Sequence, residues 1–132
     1  MIDISNEVFS AVSNEVRARH EGIAVVGENI SQPAKLPCVA MDETLNIVAE
    51  PDFGTSEKFS DVTYRVQVFA ASETGKRAQA REIFATVCDV MSGLNLVRKT
   101  YTTTPELYNA SIYQITGTFE GRVRSDGMIF KR

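Results

Sequence analysis

The residues from Phe59 to Leu94 constrain the fold more than any other part of the chain. Along FSDVTYRVQVFAA, Val62, Tyr64, Val66, Val68 and Ala70 alternate with Thr63, Arg65, Gln67 and Phe69. Successive side chains of a strand point to opposite faces, so this predicts a strand over Phe59–Ala71 with one face on a core and one largely wet. A turn at Ser72-Glu73-Thr74-Gly75 follows, and then GKRAQAREIFATVCDVMSGL. Ala80, Ile83, Phe84, Val87, Met91 and Leu94 recur there at steps of three and four, which predicts a helix over Gly75–Leu94 with one apolar stripe. A one-faced strand leading directly into a one-striped helix is satisfied when the stripe covers the strand's apolar face. This points to an α+β domain.

Upstream, Ile4, Val8, Val12 and Val16 at four-residue spacing predict a first helix over Asp3–His20, with Asp3 or Ser5 as its cap and Gly22 as its stop. Ile23–Val26 and Cys38–Met41 read as two short strands, and the loop Gly27–Pro37 between them allows an antiparallel hairpin. Residues 42–60 read as a long exposed loop or arm, within which Thr44–Val48 is either a helical turn or a short strand. Downstream, Leu96–Thr103 predicts a strand, Thr104-Pro105-Glu106 a turn, and Leu107–Val123 a long strand in which Gly117 and Gly121 suggest a bend or bulge. Ser125-Asp126-Gly127 is a hairpin turn signal, with Met128–Arg132 returning as a last strand. The expected fold is α+β. A mixed, mainly antiparallel sheet of about five to six strands carries two main helices, in the order α-β-β-loop-β-α-β-β-β. The length of 132 residues fits one domain.

Few chemical motifs emerge. His20, the only histidine, reads as a solvated residue at a helix end. Gly75-Lys76-Arg77 opens a helix after a strand. However, Ala70 and Arg77 stand where a phosphate loop needs glycine and Ser or Thr. Asp42, Glu43, Glu50 and Asp52 lack the spacing of a calcium loop. Cys38 and Cys88 lack zinc-ligand spacing; Cys88 beside the helix stripe reads as a small half-buried residue, and a disulfide between the two stays open. No cofactor and no catalytic set is expected. MIDISNEVFS lacks the basic and apolar regions of a signal peptide, and no apolar run spans a bilayer, so neither secretion nor membrane insertion is expected. Charge is uneven. Residues 1–61 hold 11 acids against 4 Lys/Arg, and residues 62–132 hold 6 acids against 10. This allows an acidic and a basic face on one body, or simply scattered solvated charge.

The segments VTYRVQVFAAS, VMSGLNLVRKT and YQITGTFEGRVRSDGMIFKR, in this order after an N-terminal helix, resemble the tail terminator (tail completion) and minor capsid proteins of long-tailed bacteriophages. The resemblance covers nearly the whole chain in order of elements. It implies a structural protein and not an enzyme: a subunit of a ring, usually a hexamer, that caps the finished tail tube and gives the head connector or stopper protein a docking surface. DNA would pass through such a ring without specific binding. The protein would reside at the head–tail junction of the virion, and in the host cytoplasm during assembly. On this reading the contacts with other copies and with the tube are assigned to Lys76, Arg77 and Arg81 at the helix start, Arg122 and Arg124 on the last hairpin, and the acidic Asp42, Glu43, Glu50, Asp52 and Glu57. A head-completion or stopper protein is the alternative from the same machine. A binding module or small enzyme, recognised by a deep pocket with convergent polar groups, is the alternative from another class.

Overall fold

The computed structural model describes residues 1–28, 36–49, 59–71, 76–105 and 112–130. Two helices, α1 (Ser5–Arg19) and α2 (Lys76–Gly93), lie on a sheet of six strands. These are β1 (Ala24–Val26), β2 (Cys38–Ala49), β3 (Phe59–Ala71), β4 (Val97–Pro105), β5 (Ile112–Arg124) and β6 (Ile129–Phe130). The spatial order is β1-β2-β3-β5-β4, with β6 also on β5. All pairs are antiparallel except β1–β2. This is the α+β architecture expected from the sequence.

Both helices cover the same face. Val8, Val12 and Val16 of α1 and Ala80, Ile83, Phe84, Val87 and Met91 of α2 are buried in one core. The sheet supplies Val39, Met41, Val62, Tyr64, Val66, Val68, Ile115 and Phe119 to that core. The alternation along β3 is as anticipated on the helix face. The other face departs from expectation at one end, where Phe69 is fully buried in a second cluster with Cys38, Ala40 and Ile112. From Phe59 to Arg65 that face of β3 is partly exposed.

Three further expectations need correction. First, β1 and β2 do not form an antiparallel hairpin. Ala24, Val25 and Val26 pair in parallel with Cys38, Val39 and Ala40. Eleven residues separate these strands, close to the dozen or so that a parallel crossover needs. Second, residues 42–49 are strand, not loop: β2 continues to Ala49, paired with β3 as far as Phe59. The acidic pair Asp42-Glu43 masked this. A bulge between Glu43 and Leu45 then resets the alternation, so Thr44–Val48 does not continue the pattern of Cys38–Met41. The rest of the expected loop, residues 50–58, lies outside the described residues. Third, β5 is not bulged at its glycines. It runs in unbroken register along β3 from Ile112 to Arg124, and the irregularity falls in β4, between Arg98 and Thr100. Gly117 and Gly121 serve close packing instead. A Cβ on Gly117 would lie 2.4 Å from Cζ of Phe84, and one on Gly121 would lie 2.8 Å from Cδ2 of Leu96.

The helix ends explain the chain reversals. Asp3 Oδ1 accepts the Ser5 N–H at 2.9 Å just ahead of α1, and that bond holds the Asp3 carboxyl below its ordinary pKa. After α2, Asn95 takes the left-handed conformation (φ 64°) and Leu96 N–H returns to Met91 O at 2.9 Å. The Asn95 amide donates to Ile129 O at 3.1 Å, tying the helix end to β6. The Ser125-Asp126-Gly127 turn forms as expected, with Gly127 at φ 90°.

Candidate functional site

Register decides what each predicted charge does. Asp42 on β2 stands directly opposite Arg65 on β3, and Asp61 on β3 directly opposite Arg122 on β5. Both are on the face that the helices leave uncovered. Each arginine grips its carboxylate with two bonds: Arg65 to Asp42 at 3.2 and 2.9 Å, and Arg122 to Asp61 at 2.9 and 3.3 Å. These two-pronged pairs are partly buried and lock neighbouring strands in register. Arg124 turns to Asp126, bonding it through Nε at 3.0 Å, and lies 5.6 Å over the Phe130 ring. Arg124, with the Met128 N–H as second donor, holds the Asp126 carboxyl down at about 2.

Glu43 projects to the opposite face of β2, toward α1. Its carboxylate accepts from Tyr64 Oη at 2.9 Å, Ser5 Oγ at 3.1 Å and Asn46 Nδ2 at 3.1 Å. Asn46 also donates to Ile2 O at 2.8 Å. One half-buried carboxylate thus fastens the start of α1 to β2 and β3. Burial pushes the Tyr64 hydroxyl well above the ordinary phenol range, so it acts as a donor and not as a base. This cluster opens on a cleft of about 400 Å³ lined by Phe9, Gly27 and Met41 among others.

The remaining predicted residues are dispersed. Arg77 and Arg81 are exposed on α2, and Arg77 lies 5.8 Å over the Tyr113 ring. Lys76 opens the same helix. Glu50, Asp52 and Glu57 lie outside the described residues. Asp42, Arg122 and Arg124 share the uncovered face, Glu43 does not, and α2 lies on the helix side of the sheet. The predicted set is therefore not one patch.

His20 is not simply solvated. Its Nε2 lies 2.9 Å from Thr86 Oγ1, joining α1 to α2. The Thr86 hydroxyl also lies 3.2 Å from Glu82 O, one turn earlier on α2. Both cysteines are free, and burial raises both thiols. Cys88 borders an open cleft of about 550 Å³ with Ser92, Val97 and Arg98. Among the described residues no group of three or more His, Cys, Asp or Glu could hold a metal ion. No helix among them is long and apolar enough to cross a membrane.

Sequence reading missed one surface feature. On β2, Leu45, Ile47 and Val48 are 45%, 51% and 44% exposed. Their partners Thr63 and Asp61 place Leu45 and Ile47 on the uncovered face, while Ser60 places Val48 on the helix face. The signal was present in Leu45-Asn46-Ile47-Val48, but without the bulge it does not show which side chains face outward. A scan of protein-family models finds no match to the chain, and a search of curated proteins likewise returns none.

Proposed function

We propose that the chain is a tail terminator of a long-tailed bacteriophage: a non-enzymic subunit that assembles into a ring, caps the tail tube and offers the head connector a docking surface. The supporting observation is the order of elements. An N-terminal helix, the long strand Phe59–Ala71, the helix Lys76–Gly93 and the closing strands through Phe130 follow one another as the sequence resemblance implies. The mechanism is capping by surface complementarity. A ring requires a head-to-tail contact in which two different surfaces of the subunit meet. The ion pairs Asp42–Arg65 and Asp61–Arg122 stiffen the sheet that presents those surfaces. Arg77 and Arg81, exposed on α2, remain available to a neighbour or to the tube. DNA passes through the ring without base-specific contact.

The test is mass measurement in solution followed by negative-stain imaging, alone and with purified tail tubes. Rings that seat on tube ends and halt further growth support the reading. A protein that stays monomeric at every concentration and salt overturns it. Attachment to the portal side alone assigns the chain to the stopper role instead.

A further inference from the structure

We infer that copies of this chain join edge to edge, the open stretch of β2 in one copy receiving β4 of the next, so that a single sheet continues across subunits. The inference rests on the ring reading above and names the surface that builds the ring.

The two edges of the sheet carry it. β2 has twelve residues, of which β1 pairs with only three, Cys38–Ala40. From Met41 to Ala49 its outer edge has no strand partner among the described residues. Such an edge presents backbone N–H and C=O groups to any strand that can reach them. Folded proteins blunt an open edge with charges, Pro or a bulge; on β2 the charges Asp42 and Glu43 and the bulge lie ahead of Leu45, and Leu45–Ala49 carries no charge and no Pro. It carries Leu45, Ile47 and Val48 instead, all exposed and divided between the two faces. A strand laid alongside would shelter all three, which a helix docked on one face would not.

β4 is the opposite edge, and it fits. Its stretch Tyr101–Thr104 can lie beside Leu45–Val48, the plain part of the open β2 edge. Strand direction reverses at each step from β2 through β3 and β5 to β4. A second copy set beside the first without being turned over therefore lays its β4 antiparallel to β2. The faces also agree. Thr100 and Thr102 lie opposite Thr118 and Thr116 on the uncovered face, and Tyr101, 39% exposed, lies on the helix face. The register that sets Val48 against Tyr101 sets Ile47 against Thr102, giving aromatic and β-branched cross-strand pairs. Exposed Arg98 and Lys99, beside the β4 bulge, discourage pairing at the start of that strand and confine it to Tyr101 onward. A two-fold β2–β2 contact would leave β4 open in both copies. The head-to-tail contact uses both edges and can close into a ring.

The experiment uses the full chain with Cys38→Ala and Cys88→Ala, checked by circular dichroism against the parent, and adds Ile47→Cys, Thr102→Cys or both. Under mild oxidation the double variant should give a ladder of cross-linked multimers, and each single variant none. In the otherwise native chain, Ile47→Lys should abolish the oligomer in sedimentation velocity while leaving the circular dichroism unchanged. Cross-linked dimers from Ile47→Cys alone would overturn the inference in favour of a two-fold contact. Rings that persist in Ile47→Lys overturn it too, but leave the ring reading standing. Cross-linked rings that never seat on tail tubes support the inference and refute the tail assignment.

Discussion

Replacing Gly117 by alanine probes how closely α2 presses on the sheet. The new methyl would stand 2.4 Å from Cζ and 2.8 Å from Cε2 of Phe84, with Thr100 O at 3.2 Å on the other side. Carbon pairs settle near 3.5 Å, so the ring edge must retreat by about 1 Å. It has little room to do so. Phe84 is buried, with the Tyr101 ring at 5.4 Å and the Phe119 ring at 6.0 Å. Overpacking of this kind costs about 1–3 kcal/mol. Alanine recovers about 0.5–1 kcal/mol because glycine is entropically unfavourable within a strand. The net loss centres on about 1 kcal/mol within a span of about 0–2.5, or roughly 4 °C in Tm for a chain of this length. Urea unfolding followed by far-UV circular dichroism should show a lower midpoint with an unchanged slope. The decisive measurement is a double-mutant cycle with Phe84→Leu, which removes the ring atoms that clash. In that background Gly117→Ala should be neutral or stabilising. If Gly117→Ala is neutral in the native chain, or costs the same in both backgrounds, helix and sheet are not in the contact described.

The other predictions concern single groups. Tyr64→Phe removes one of three donors to the Glu43 carboxylate and should destabilise by about 1.5–3 kcal/mol in chemical denaturation. Glu43→Gln should cost less, since the amide oxygen still accepts. Arg122→Ala should lower stability by about 1 kcal/mol, because its bonds run to Asp61 within the chain; its effect on oligomer size should be smaller than that of Ile47→Lys. Asp126 titrates lower in the folded chain, at about 2, than in the unfolded one. Its contribution is therefore present above the ordinary carboxyl range and disappears as pH falls toward 2. Asp126→Asn should flatten that part of the stability profile, as measured by thermal melts from pH 5 to 2.

How much of this could be read from the chain depended on whether one local pattern decided the matter. The alternation from Val62 to Ala70 and the stripe from Ala80 to Met91 each repeat often enough to fix an element and its buried side, and both stand in the core. Where an irregularity intervenes, the reading fails. The β2 bulge shifts the alternation between Glu43 and Leu45, so one strand looked like a short strand followed by a loop. Glycines within β5 looked like bulge positions because sequence alone cannot separate a bend from a close approach. The pairing of Gly117 beneath Phe84 joins residues far apart in sequence, and no local signal reports it. Parallel or antiparallel pairing of β1 with β2 was undetermined for the same reason.

Charge was harder to read than hydrophobicity, and the difference is physical. An apolar side chain announces its destination, because burial is favourable almost wherever it occurs. A carboxylate or guanidinium on a strand can face water, a neighbouring strand or another subunit, and only register decides which. Asp42 and Arg122, named from sequence as contacts to other copies, each face an opposite charge one strand away. Their attraction is already used within the sheet, so they add little that is free to attract a partner. Among the described residues, the outer edge of β2 beyond Ala40 has no strand partner, and Leu45, Ile47 and Val48 lie exposed along it. A chain of this kind is thus better searched for its partners along open edges than among its charges. An apolar residue exposed on an unpaired strand has no internal partner to account for it, whereas a charge beside an opposite charge does.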